Sequence, residues 1–143
     1  MTKGDGMLVT DSYNKIVDCE ERPYSIMGEP VLAFALAGTA KARTVLEYAL
    51  GEGVEITSAL DTDDYFSAII VTKRSAYYVN KEEEGPQLSI LEIDEGMPMC
   101  CGTGSKIATH FLLHTQCDPM DAVVQAVKSD VFSGGELVRW SRP

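Results

Sequence analysis

Runs of apolar residues separated by polar turns divide the chain into short strands and helices. Residues 31–37 are apolar at every position and stop at Gly38, a pattern typical of a strand that is covered on both faces. Shorter apolar runs bounded by turn residues predict further strands. These runs are residues 7–10, 15–19, 23–27, 66–72, 75–79, 87–93, 97–101 and 136–140. The acidic run 82–84 is interpreted as the solvated tip of a hairpin.

Three stretches have helical spacing instead. In the first, apolar residues recur every three or four positions from Thr39, the predicted cap, to Gly51, the predicted stop. The second helix opens at residues 102–105, a glycine-rich turn. The third begins with Asp118 as its cap and Pro119 at its first position, both of which favour a helix start.

The resulting order is strands, one helix, strands, two helices and a strand, with no repeat or linker. This order predicts one domain, residues 1–143, of the α+β class, in which helices pack in layers on antiparallel sheets. The length of 143 residues agrees, because a typical domain has about 150.

The charge balance limits the classes of partner that the protein can bind. With 22 acidic and 12 basic side chains the formal net charge is -10, which argues against nucleic acid, since phosphate binding needs clustered Lys and Arg. No apolar run reaches the roughly 18 residues of a membrane helix, and residues 1–6 are polar rather than signal-like. We therefore expect a cytoplasmic protein without membrane or nucleic-acid contacts.

The 4 cysteines do not suggest a disulfide framework or a cofactor. His110, His114 and Cys117 fall on one helix face at i, i+4 and i+7, but three ligand types without a CxxC pair favour an ordinary helix flank at the core edge over a zinc site. We expect no metal and no cofactor.

Four separated features share a family resemblance. They are the turn and strand at residues 5–12 (DGMLVTDS), the strand that ends at Ala37 and Gly38, the G-T-G-S turn at 102–105, and the D-V-F-S-G-G segment at 130–135. In this order they resemble proteasome beta-type subunits and their relatives in bacterial ATP-dependent proteases. The resemblance implies the N-terminal nucleophile hydrolase fold, a four-layer αββα sandwich of two antiparallel sheets.

The resemblance also implies roles for individual residues. Thr2 would be the nucleophile once Met1 is removed, Asp11 the buried aspartate of the site, and the backbone N–H of Gly38 the oxyanion donor. A supporting network around the terminal amine would consist of Ser105, Asp130 and Ser133.

Two features of the sequence favour binding over catalysis. Asp11 follows Thr2 by only 9 positions (11 minus 2), a shorter interval than in the family, and a hairpin turn at residues 5–6 places the strand partner of Asp11 before residue 1. Where the family has a lysine, this chain has Arg22, which stays protonated and cannot act as a base, although Lys15 could point into the same pocket.

Three functions follow as hypotheses. The first is an assembly or binding protein with a proteasome-like scaffold, either a homo-oligomer such as a ring or bound to another protein. The second is a small threonine-type peptidase or amidohydrolase that uses Thr2. The third, an amidase with a cysteine nucleophile, departs from the fold's own mechanism because none of the cysteines is N-terminal.

Overall fold

The computed structural model describes residues 7–10, 16–94, 97–114, 118–130, 134 and 137–143. In these residues the elements are β1 (Met7–Thr10), β2 (Ile16–Asp18), β3 (Ser25–Ile26), β4 (Glu29–Gly38), α1 (Ala42–Glu52), β5 (Phe66–Thr72), β6 (Ala76–Lys81), β7 (Leu88–Glu92), α2 (Ser105–His114), α3 (Pro119–Ser129) and β8 (Val138–Ser141).

The described strands form two antiparallel sheets. The larger has the order β2-β4-β5-β6-β7, with β3 also paired to β4, and the smaller consists of β1 and β8. In the small sheet Met7 pairs with Ser141 and Thr10 with Val138. The prediction of an α+β protein with antiparallel sheets and three helices is confirmed for this part of the chain.

One face of the large sheet packs against α1. The buried contacts there join Phe34, Phe66 and Ile70 of the strands to Leu46 and Leu50 of the helix. Each fully buried side chain of this size stabilises the fold by about 1.5–3 kcal/mol relative to an exposed one. The apolar spacing of α1 therefore follows from a single buried stripe.

The opposite face of the large sheet carries small side chains and receives the small sheet. Ala33, Ala35 and Ile69 pack there with Leu8 of β1 and Trp140 of β8. The short alanine side chains of β4 allow β1 to approach closely.

An irregularity in β4 sorts its residues between the two faces. The register with β5 shifts between Val31 and Ala33, so Val31 joins Phe34 on the α1 face although an unbroken pleat would place it with Ala33. This explains how one uninterrupted apolar run supplies both cores.

The last two helices pack on each other through small residues. Ala108 and Leu112 of α2 meet Ala122 and Ala126 of α3, and α3 also contacts β1. The predicted start of α3 is confirmed, since the carboxylate of Asp118 accepts a hydrogen bond from the backbone N–H of Asp121 at 2.9 Å.

A long-range contact fixes the segment after β8 to the large sheet. The guanidinium of Arg142 donates hydrogen bonds to the carbonyl oxygens of Thr72 and Ser75, at 3.0 and 3.1 Å, in the β5–β6 turn. The two sheets are thus joined by polar contacts at their edge as well as by the apolar core.

Three predicted details are wrong. Helix α1 has Lys41 rather than Thr39 at its N-cap, because the Thr39 hydroxyl donates instead to Asp64. Gly51 lies inside the helix, which ends at Glu52 and has Gly53 as its C-cap, where the positive φ of 89° favours glycine. Residues 97–101 contain no strand: Met99 and Cys101 pack against the core between the sheets, whereas Met97 is exposed and Pro98 makes only an isolated β-bridge.

In the described residues no helix has both the length and the apolar composition needed to cross a membrane.

Candidate functional site

A cleft of about 90 Å³ lies between the small sheet, the end of β4 and the turn that precedes α2. Its floor is mainly aliphatic, and hydroxyl and thiol groups lie around it. The lining residues are Leu8, Val9, Thr10, Ala35, Leu36, Ala37, Ile69, Met99, Cys100, Cys101, Gly102, Thr103, Gly104, Ser105, Ala108, Val123 and Ala126.

The glycine-rich turn at 102–105 forms one wall of the cleft. Gly102 has a φ of +98°, which favours glycine, and a Cβ atom there would lie 3.4 Å from the Cβ of Ala37 at the end of β4. The backbone N–H of Ser105 donates to the carbonyl oxygen of Gly102 at 3.1 Å and closes the turn. Two of the motifs singled out in the sequence thus line the same cleft.

Ser105 is the first residue of α2 and lines the cleft, but a different hydroxyl of the same turn meets Asp130. The Thr103 hydroxyl donates to Oδ2 of Asp130 at 2.5 Å. Asp130 directly follows α3, and its backbone N–H donates to the carbonyl oxygen of Ala126 at 2.8 Å. The contact therefore joins the start of α2 to the end of α3 beside the cleft.

Thr103 is the site residue that sequence reasoning missed. The G-T-G-S turn carries two hydroxyl groups, at Thr103 and Ser105, and either could have been assigned to the network around Asp130. The sequence signal was therefore present, but choosing between the two positions requires the geometry of the turn.

Gly38 ends β4 beside the cleft lining and lies against the backbone of β5. A Cβ atom at Gly38 would lie 2.7 Å from the Cα of Phe66 and closer still to the carbonyl oxygen of Tyr65, so the position excludes every residue but glycine. The backbone N–H of Thr39 donates to that same carbonyl oxygen at 3.0 Å. The expected role of the Gly38 N–H as an oxyanion donor stays a prediction, and the requirement for glycine has a packing cause.

The junction after Gly38 is held by an acidic side chain from the following loop. Oδ1 of Asp64 accepts from the Thr39 hydroxyl at 2.8 Å, and Oδ2 accepts from the Thr62 hydroxyl at 3.0 Å. These hydrogen bonds, first that of Thr39 and then that of Thr62, lower the pKa of the Asp64 carboxyl.

Strand β1 reaches the cleft, but the described part of the chain stops at the residue before one of the other candidate site residues. Thr10, the last residue of β1, lines the cleft and directly precedes Asp11 in the sequence. Asp11, Thr2 and Ser133 lie outside the described residues. Their expected roles therefore remain predictions.

The described cysteines are free thiols. Cys100 and Cys101 line the cleft, and burial, reinforced by Cys100, raises the pKa of Cys101 to about 12. Burial also raises the pKa of Cys19, in the core beneath α1, to about 11. Since the thiolate is the nucleophilic form, neither Cys19 nor Cys101 is activated at neutral pH, which disfavours these two as the nucleophile of a cysteine amidase.

Arg22 has a surface role instead of the one considered for it. Its guanidinium is 2.6 Å from a carboxylate oxygen of Glu47 on α1 and lies over the ring of Tyr24, 5.8 Å from the centroid. It is not among the residues that line the cleft. In the part of the chain that the structure describes, no three His, Cys, Asp or Glu side chains group together in a way that could hold a metal ion.

Comparison of the chain with protein-family models, with curated proteins and with solved structures finds no match. The functional argument therefore depends on the geometry of the cleft and on the motifs around it.

Proposed function

We propose that this chain is a proteasome-like protein of the N-terminal nucleophile hydrolase fold, which acts as an assembly or binding protein. One observation carries the proposal: motifs that are far apart in the sequence meet around a single cleft. Ala37 and Gly102 line the same cleft, and Thr103, next to Gly102, is bonded to Asp130. The resemblance predicts this convergence, because it assigns all of these segments to one site.

The packing order also supports the fold named in the proposal. Helix α1 covers one face of the large sheet, the small sheet covers the other, and α3 contacts β1 of the small sheet. This succession is what a four-layer αββα sandwich requires. Intramolecular cross-linking tests the fold. In a four-layer arrangement both sheets lie between α1 and α3, so a short cross-linker should not join these two helices.

The lining of the cleft favours binding. Aliphatic side chains form its floor, and the hydroxyl-bearing residues Thr10, Thr103 and Ser105 line it. An apolar floor with a few polar groups is typical of a pocket that accepts an apolar side chain. A peptide segment of a partner, or of a second copy of this chain, offers such a side chain.

The test blocks the cleft without disturbing the core. Ser105→Phe adds a ring at the cleft. The matched control Thr109→Phe adds it one turn along α2, at a residue that lines only the groove on the outer side of the helix and not the cleft. We expect S105F, but not T109F, to weaken self-association measured by light scattering or binding of short peptides with apolar side chains. Equal behaviour of the two variants would contradict the proposal.

A threonine-type hydrolase is the second candidate, favoured by the bond between Thr103 and Asp130. Asp130 belongs to the network of Ser105, Asp130 and Ser133 that the resemblance implies beside an N-terminal threonine, and Thr103 is a further hydroxyl bonded to it. Intact-mass analysis for loss of Met1, followed by labelling with a threonine-directed electrophile, separates the two candidates. A covalent adduct on Thr2, together with peptide turnover, would replace the binding proposal with the hydrolase one.

A further inference from the structure

The outer face of α2 carries a second group of polar side chains, which shares only Ser105 with the lining of the cleft. They surround a shallow groove lined by Ser105, Lys106, Thr109, His110, Leu113 and His114. The opposite face of α2 packs on α3 through Ala108 and Leu112. The groove therefore belongs to the solvent side of the helix, and both histidines are exposed.

The two histidines are spaced for joint binding of one ion. His110 and His114 are one helical turn apart, and their ring centroids are 4.8 Å from each other with the ring planes tilted by 39°. The edge of the His110 ring also meets Phe111, with 5.5 Å between the centroids, which limits the freedom of that ring. Two imidazole rings this close can direct one nitrogen each toward a common point.

We propose that His110 and His114 form a two-ligand site for a divalent transition-metal ion. Neutral imidazole nitrogens suit Zn²⁺, Cu²⁺ and Ni²⁺, with metal–nitrogen distances of about 2.0–2.1 Å. Among the described residues no third His, Cys, Asp or Glu side chain groups with the pair, so this part of the chain supplies two ligands. The pair is two of the three residues considered for zinc from the sequence, the third, Cys117, lying outside the described residues. The site is independent of the proposed function.

Electrostatics around the pair supports a cation. Both residues lie in the second half of α2, where the helix dipole places partial negative charge, and the chain has a formal net charge of -10. Lys106, one turn before His110, opposes the ion. The negative potential from the helix end and from the net charge of the protein is therefore partly offset by the ammonium group of Lys106.

Calorimetric titration of the full chain with NiCl₂ tests the site, using wild type, His110→Asn and His114→Asn. Loss of hydrogen-bond partners behind a metal ligand weakens metal binding by about 10- to 100-fold, so loss of a ligand itself should weaken it by at least about tenfold. The control Lys106→Gln removes the opposing charge and keeps both rings, so it should bind Ni²⁺ at least as tightly as wild type.

A second readout uses folding. The i, i+4 spacing of the two rings exists only when α2 is formed, so Ni²⁺ should raise the Tm of wild type and of K106Q but not that of either histidine variant. Wild-type affinity in H110N and H114N, or no binding by wild type at millimolar Ni²⁺, would overturn the proposal. Neither result bears on the cleft, because the Ni²⁺ titration does not probe it.

Discussion

The Thr103 hydroxyl and the Asp130 carboxylate lie 2.5 Å apart and connect the turn before α2 with the residue after α3. These two segments are far apart in the sequence, and each ends or begins a helix that contributes to the cleft wall. A single hydrogen bond therefore couples the geometry of the turn to the packing of the helix pair.

Removal of the Thr103 hydroxyl should destabilise the protein without creating a cavity in the core. Thr103→Val keeps the shape of the side chain and leaves the Asp130 carboxylate without that donor. Because the contact is exposed, we expect a loss of about 1 kcal/mol in the free energy of unfolding, the value of an ordinary hydrogen bond and less than the about 1.5–3 kcal/mol of one to a charged group. Urea denaturation measures the loss, and Thr103→Ser, which retains the hydroxyl, should recover most of it.

Two glycines should respond to alanine in opposite directions. At Gly38 the added Cβ meets the backbone of Tyr65 and Phe66, which cannot move without breaking the β4–β5 pairing, so G38A should cost more than about 3 kcal/mol. At Gly51, inside α1, the nearest atom is Cε1 of Tyr24 at 3.9 Å, and Ala is the better helix former. G51A should therefore stabilise by about 0.5–1 kcal/mol.

Chemical denaturation of the two variants in parallel measures both changes in the free energy of unfolding and so checks that G38A lowers it and G51A raises it. A mild effect of G38A would mean that β5 can withdraw from β4 at this position, and would remove the packing cause given for the glycine.

The start of α3 depends on one carboxylate. Asp118→Ala deletes the acceptor for the Asp121 N–H, and caps of this type are worth about 0.5–2 kcal/mol. Asp118→Asn keeps an oxygen acceptor and removes only the charge, so it should retain most of the stability. If the two variants lose stability equally in thermal unfolding, the interaction is one of charge with the helix dipole and not a hydrogen-bonded cap.

Stability should decline at alkaline pH. Burial raises the pKa of Cys19 from 9.0 to about 11, so above pH 9 the unfolded chain loses this proton before the folded protein does. The stability that Cys19 contributes is therefore complete below pH 9, falls as the pH rises toward 11 and is lost above it. Urea denaturation across this range should show a shallower decline in Cys19→Ala.

Tyr77 extends the decline to higher pH. Burial and the hydrogen bond from its hydroxyl to Glu29, 2.7 Å long, raise its pKa from 10.0 to about 12. Tyr77→Phe should flatten the pH dependence between 10 and 12 and leave the part below pH 10 unchanged. An unchanged slope in both variants would show that other groups govern alkaline unfolding.

The fold was predictable from sequence wherever burial dominates local preference. Residues 66–72 were predicted as a strand with the bounds of β5, because their apolar residues face a core on either side. Thr39 was misassigned as a cap because its hydroxyl has an acceptor in Asp64, which follows it by 25 positions and is not visible to local rules. At Met99 and Cys101 the apolar character was interpreted correctly as packing, but packing does not require backbone pairing.

The site was predictable only at the level of segments. The sequence identified Gly38, Ser105 and Asp130 as neighbours of one site, and the structure brings the segments that carry them to the cleft. It did not identify Thr103, since the choice between two hydroxyls in one turn depends on backbone dihedral angles. Nor could it reveal the shift in β4 at Val31, which divides one apolar run between two cores.

The pairing of β1 with β8 has a consequence for folding kinetics. Met7 lies opposite Ser141, so the pairing of β1 with β8 closes a loop that contains nearly the whole chain. Contacts between residues so far apart in the sequence form slowly, because the loop must close before they can form. Because β1 supplies one wall of the cleft, the cleft is completed late on the folding pathway. A ligand of the cleft would consequently recognise the finished protein alone and ignore partly folded intermediates.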